Sequence, residues 1–188
     1  MSYRPICDTW ILGRPKVKYY GAYPNGFLER ALPLVGASTE EEVLHLCGGR
    51  VKDYPNKRLV KHAFTVDADP SLAPDVVADL SLPVERLVDT VIADCGWRAC
   101  LIDPPYTEAD HEHYDAGGKT LPSANHLLRL GLRLVEVGGR VGMLHYVWPQ
   151  PPKYAKSIAM VGVVCGFNNR IRAFSVFERL DDGEGSHD

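Results

Sequence analysis

ACLIDPPYTEADHEHY, residues 99–114, passes without a break from small and apolar residues to an aspartate, two prolines and a tyrosine. Two successive prolines supply no backbone N–H and fix φ, so a central strand cannot run through them. A buried strand over 99–103 therefore stops at Asp103, and Asp103-Pro104-Pro105-Tyr106 is a rigid terminus that holds something in place.

Working outward from that terminus, strand and helix signals alternate. Upstream, PVERLVDTVIADC (83–95) carries apolar residues at helical spacing, with Gly96 as its stop. Before it lie three short apolar runs, EVLHLC (42–47), HAFTVDAD (62–69) and PDVVADL (74–80). Helical FLERALPLV follows the Pro-, Gly- and Tyr-rich stretch RPKVKYYGAYPNGF. Downstream, SANHLLRLGLRLVEV (123–137) predicts an amphipathic helix between Ser123 as N-cap and Gly138 as C-cap. GRVGMLHYV (139–147) is a fifth strand. The runs 158–167 and 171–180, joined by Asn168-Asn169-Arg170, read as a terminal β-hairpin. Alternation of this kind predicts a three-layer α/β domain with a mostly parallel sheet, which binds ligands at the carboxyl ends of its strands.

The 188 residues, 45% hydrophobic and 24% charged, suit one domain over residues 1–180, with 1–36 as an extension and 181–188 as an acidic, disordered tail. No apolar run is long enough for a membrane helix, and the N-terminus is too charged for a secretory signal. Five cysteines without a CxxC pair point to reduced thiols and a cytoplasmic protein. Net charge is −3, but the last eight residues contribute four acids and no Lys or Arg. Residues 1–36 hold five basic and two acidic residues, and residues 50–62 hold five against one, so two segments are suited to phosphate.

The strand ends carry the candidate ligand groups. The first ends in Cys47-Gly48-Gly49, where glycines let a ligand approach the backbone. The second ends in Asp67 and Asp69, about 20 residues after the glycine turn, a spacing suited to ribose hydroxyls. The third ends in Asp79. The acidic and histidine-rich 110–113 tempts a metal reading, but a solvated charged loop is the expectation there, and no metal is expected.

VLHLCGG, TVDADPSL, DVVADLSLP, IDPPY and VEVGGRVGMLH, in this order, resemble the successive motifs of class I S-adenosylmethionine-dependent methyltransferases. DPPY narrows the resemblance to the amino-methyltransferases of adenine N6 or cytosine N4, over roughly residues 40–180. The resemblance implies a Rossmann-like, seven-stranded sheet of order 3-2-1-4-5-7-6 with the seventh strand antiparallel. It implies S-adenosyl-L-methionine as cofactor, held by Leu46, Cys47, Gly48, Gly49, Asp67, Ala68, Asp79, Leu80 and Asp103. PKVKYYGAYPNGFLE takes the part of an N-terminal cofactor-contacting motif. One departure stands out: the family's first motif continues as GxG into a helix, and CGGRVKDYPNKRLVKH offers none.

The implied catalytic residues are Asp103, Pro104, Pro105 and Tyr106. A base amine is a poor nucleophile, because its lone pair is delocalised into the ring. The Asp103 carboxylate and the Pro104 carbonyl would accept its two N–H groups, held rigid by the prolines, and the Tyr106 ring would face the base. His145, Tyr146 and Trp148, after the fifth strand, serve equally as pocket wall or as packing. The expected reaction is methylation of adenine N6 in DNA. Alternatives are cytosine N4, adenine N6 in RNA, or a non-catalytic subunit of the same fold. No segment is long enough to read base edges in a groove, so target recognition is expected from a partner or from self-association.

Overall fold

A computed structural model of the chain describes all residues except 1–3, 20, 39, 92–95, 114–119, 167–169 and 182–188. Most of the expected acidic tail and the Asn168-Asn169 turn therefore lie outside the described residues.

The strands are β1 (Ile6–Leu12), β2 (Val43–Leu46), β3 (Ala63–Asp67), β4 (Val76–Val77), β5 (Trp97–Ile102), β6 (Val135–His145), β7 (Ala155–Cys165) and β8 (Arg170–Arg179). The helices are α1 (Phe27–Leu34), α2 (Val84–Val91), α3 (Glu108–His113) and α4 (Ala124–Leu134). One eight-stranded sheet runs β4-β3-β2-β5-β6-β8-β7-β1. Only β8 is antiparallel to its neighbours, β6 and β7. Without β1, this is the order and polarity expected for seven strands.

The eighth strand is a correction. Residues 6–12 read as part of a Pro- and Gly-rich extension, yet they pair in parallel with Ala159–Cys165 along the sheet's edge. Only Trp10 and Leu12 are buried, and Asp8 interrupts the apolar alternation that marks a strand. The Asp8 carboxylate accepts from the Thr9 N–H at 2.7 Å and the Trp10 Nε1–H at 3.1 Å.

Two hydrophobic cores cover the two faces of the sheet. α1 packs on one face, where Phe27, Leu28 and Val35 meet Leu101, Val161 and Phe174. α2 and α4 cover the other, where Leu87, Leu127 and Leu128 meet Leu44, Ile102 and Met143. Ser123 caps α4 as expected, its Oγ accepting from the His126 N–H at 3.3 Å. The far end differs: α4 stops at Leu134, and 135–138 belong to β6. Gly138 lies inside β6 at φ 83, within the irregular register between Val135 and Arg140. A glycine in a left-handed conformation there makes a bulge rather than a helix stop.

The third expected strand is cut to two residues. Asp75 turns back instead, its Oδ2 accepting from the Thr65 N–H at 2.7 Å and pairing with Lys52 Nζ at 2.6 Å. Between β2 and β3 there is no α-helix, only short 3₁₀ turns at Val51–Asp53 and Lys57–Leu59. That departure in the sequence is real in the fold.

Candidate active site

The carboxyl ends of β2, β3 and β5, with the loop after β4, surround an open cavity of about 900 Å³, counted to its solvent-filled mouth. The chain leaves β2 through a tight turn in which Cys47 has φ 54 and Gly49 φ 50. A cysteine rarely adopts that left-handed conformation, and backbone strain of this kind concentrates at functional sites. Gly48 is held by space: a Cβ there would lie 3.0 Å from Thr65 Cγ2. The Gly49 N–H donates to Asp67 Oδ2 at 2.8 Å, and Asp67 Oδ1 accepts from the Asp69 N–H at 3.1 Å. One carboxylate thus straps two strand ends together. Each oxygen keeps a further lone pair for a ligand hydroxyl.

Asp69 also lines the cavity, but its Oδ1 caps the turn at Pro70–Leu72 through the Ser71 N–H at 2.8 Å. Asp79 Oδ1 accepts from both the N–H and Oγ–H of Ser81, at 3.0 and 2.7 Å. Ala68, Leu80 and Leu72 add apolar wall. From the N-terminal segment Tyr19, Gly21 and Tyr23 also line the cavity. The Tyr19 hydroxyl donates to the Arg50 carbonyl at 3.0 Å.

Asp103 is on the cavity wall with Pro105, where β5 ends. Burial pushes its carboxyl up to about 6, opposed by the Arg172 guanidinium and by the Tyr106 hydroxyl. Tyr106 Oη donates to Asp103 Oδ1 and accepts from Arg172 at 3.4 Å. Around the Tyr106 ring stand Tyr146 at 4.6 Å, His145 edge-on at 5.4 Å and the Arg172 guanidinium at 5.5 Å from the ring centre.

The structure gathers Cys47, Gly48, Gly49, Asp67, Ala68, Asp79, Leu80, Asp103 and Pro105 around one cavity. Three candidates stand behind it rather than in it: Leu46 is in the core, Pro104 is buried, and Tyr106 packs against β6 and β8. The stretch 110–113 is not the solvated loop expected. It lies in α3, with Asp110 buried, accepting from Thr107 Oγ1 at 2.9 Å and facing Arg170 at 3.6 Å. His111 joins the cavity wall. No group of His, Cys, Asp and Glu suited to a metal ion occurs among the described residues. Arg172 carried no signal in the sequence, since one of three arginines in a hairpin strand (with Arg170 and Arg179) reads as a surface residue.

No protein-family model matches the chain, and no curated protein does. Solved structures do. TrmN from Thermus thermophilus superposes with TM-score 0.58 at 16% identity, covering 84% of this chain and 49% of that one. The rRNA methyltransferase aviRa from Streptomyces viridochromogenes superposes with TM-score 0.52 at 13% identity, covering 86% of this chain and 88% of that one. The chain thus spans about half the length of the first and most of the second. With the strand order, these likenesses give the architecture its name: the chain has the Rossmann-like methyltransferase fold.

Proposed function

We propose that this chain transfers a methyl group from S-adenosyl-L-methionine to an exocyclic amine of a nucleic-acid base, with adenine N6 ahead of cytosine N4. The observation that carries the reading is that Asp103 and Asp67 line one cavity with the Cys47–Gly49 turn between them. An acceptor for an amine and an acceptor for ribose hydroxyls thus share one space. The donor set fits the cofactor: the Asp67 carboxylate for the ribose, Leu72 and Leu80 for the adenine faces, Asp79 at its rim, and the Cys47–Gly49 backbone for the polar remainder.

When bound, the cofactor supplies an electrophilic methyl group on a sulfonium. The chain's task is to present the amine. Ionised Asp103 accepts one N–H and draws lone-pair density toward the methyl donor. The prolines fix that acceptor before substrate arrives, so no reorganisation is needed at the moment of transfer. The ionised carboxylate is the stronger acceptor, so the rate should rise as pH passes about 6, the value to which burial pushes Asp103.

Asp67→Ala should weaken S-adenosylmethionine binding by roughly 1–3 kcal/mol, the scale for losing charge-assisted hydrogen bonds. Calorimetric titration measures it. Unchanged affinity in a folded variant would remove Asp67 from the site and move the test to Asp69.

The two basic segments support a nucleic-acid substrate, because the fold brings them together. Tyr19 and Arg50 both line the cavity, with the Arg50 guanidinium 5.4 Å from the centre of the Tyr19 ring. In a separate small cleft Lys16 and Glu29 meet Tyr54, Pro55 and Asn56. Binding should weaken steeply with salt, and charge reversal at Lys57 and Arg58 should reduce affinity alike for all sequences. Salt-independent binding, or none to any DNA or RNA, would overturn phosphate contact by these segments and favour a small-molecule substrate or the non-catalytic reading. RNA is the second reading of the substrate, favoured by the structural neighbour named as an rRNA methyltransferase. Mass spectrometry of nucleosides from DNA and RNA, after expression in a host without methylation, decides among adenine, cytosine, DNA and RNA.

A further inference from the structure

We propose that Arg172 of β8 is a positioning residue that keeps the Asp103 carboxylate ionised and aimed, acting through the Tyr106 hydroxyl. The inference rests on the reading of Asp103 as the acceptor of the target amine.

The geometry is a relay of three side chains from two distant parts of the chain. Arg172 donates from its guanidinium to Tyr106 Oη at 3.4 Å, and Tyr106 donates onward to Asp103 Oδ1. The guanidinium also sits 5.5 Å from the centre of the Tyr106 ring, so it fixes the ring as well as the hydroxyl. With Oδ1 engaged, Oδ2 is the oxygen left for an amine. A bond donated by a charged group polarises the hydroxyl and strengthens the bond that the hydroxyl donates in turn. Arg172 is half-buried, and its Nε has no hydrogen-bond partner among the described residues. Such a placement is unfavourable unless the charge is used.

The need for that charge follows from what else faces Asp103. Cys47 from the end of β2, Tyr23 from the N-terminal segment and Tyr106 surround the carboxylate, and none carries a positive charge. Burial alone favours the protonated acid, which is a weaker acceptor for an amine and carries no charge to draw on its lone pair. Arg172 is the cation that opposes it. This gives Tyr106 a part beyond its ring: without its hydroxyl, guanidinium and carboxylate lose their bridge.

The test has one readout that needs no substrate. The ¹³C signal of the Asp103 carboxyl is titrated in the cofactor-free protein for wild type, Arg172→Met and Arg172→Lys. The midpoint should move up by about one pH unit in Arg172→Met, at the low end of the effect of a nearby opposite charge, and return toward wild type in Arg172→Lys. The second readout is methyl transfer to mixed single-stranded DNA and RNA oligonucleotides. The loss in Arg172→Met should be large at about pH 6 and shrink at about pH 8.5, where Asp103 ionises regardless. An unmoved Asp103 midpoint in Arg172→Met overturns the proposal, and so does an activity loss equal at both pH values. A shifted midpoint in a wild-type background that transfers no methyl group leaves the relay standing and overturns the amine-acceptor reading instead.

Discussion

Asp103→Ala is expected to lower methyl transfer by about 10²-fold or more while leaving S-adenosylmethionine affinity nearly unchanged, the usual scale for losing a positioned acceptor. The side chain ends a strand whose next two residues are prolines, so truncation removes the acceptor without freeing the backbone. The Asp103 N–H remains tied to the Leu46 carbonyl at 3.4 Å. Asp67, the ribose partner proposed above, is tied to Gly49 and Asp69 rather than to Asp103, so the cofactor side should survive. Asp103→Asn is the informative companion. Its amide oxygen can still accept from an amine and its rotamer is similar, so it should retain more activity than alanine and lose the rise in rate near pH 6. Single-turnover transfer beside calorimetry separates the cases. Full activity in Asp103→Ala would end the amino-methyltransferase reading. Lost cofactor affinity would assign the carboxylate to the cofactor instead.

The parts of this fold that were legible in the sequence are those where one stretch carries its own signal. Val43–Leu46 is buried at every position, as a central parallel strand is, and a continuous apolar run announces that directly. The glycine turn, Asp67, Asp79 and the Asp103-Pro104-Pro105 terminus lie at strand ends, and in a parallel sheet strand ends share one edge. Strand prediction therefore places them together without any tertiary detail. Elements defined by their neighbours were illegible. β1 is a strand because β7 offers it an edge and Phe174 offers Trp10 a ring, and neither fact is written in residues 6–12. α4 passes into β6 without a loop, because Val135 is needed beside Trp97, whereas the helical periodicity of 123–137 continues past that point. Arg172 and Tyr106 are 66 residues apart, and their bond depends on the antiparallel return of β8 beside β6.

Phe174→Ala is expected to destabilise the fold by about 3–5 kcal/mol, the upper range for a buried aromatic truncation. Phe174 is fully buried on the α1 face of β8. Its ring packs edge-on to Phe27 at 5.0 Å and tilted against Trp10 at 5.7 Å, so it joins α1 to β1 across the sheet. It also lies over Gly142 of β6, where a Cβ would stand 2.8 Å from Phe174 Cζ. No side chain at that position of β6 can move into the space that truncation leaves, and the rings around it are themselves packed. The void should therefore persist rather than collapse, which places the cost at the high end. The urea midpoint should fall without a change in slope, since the same surface is exposed on unfolding. Trp10→Ala should cost less, because β1 is an edge strand with a single partner and can yield locally. Hydrogen exchange distinguishes the two variants: Trp10→Ala should speed exchange in β1 alone, whereas Phe174→Ala should speed it in β1, β7 and β8 together. A loss below about 1 kcal/mol in Phe174→Ala would mean that the aromatic cluster is not what fastens the eighth strand to the sheet.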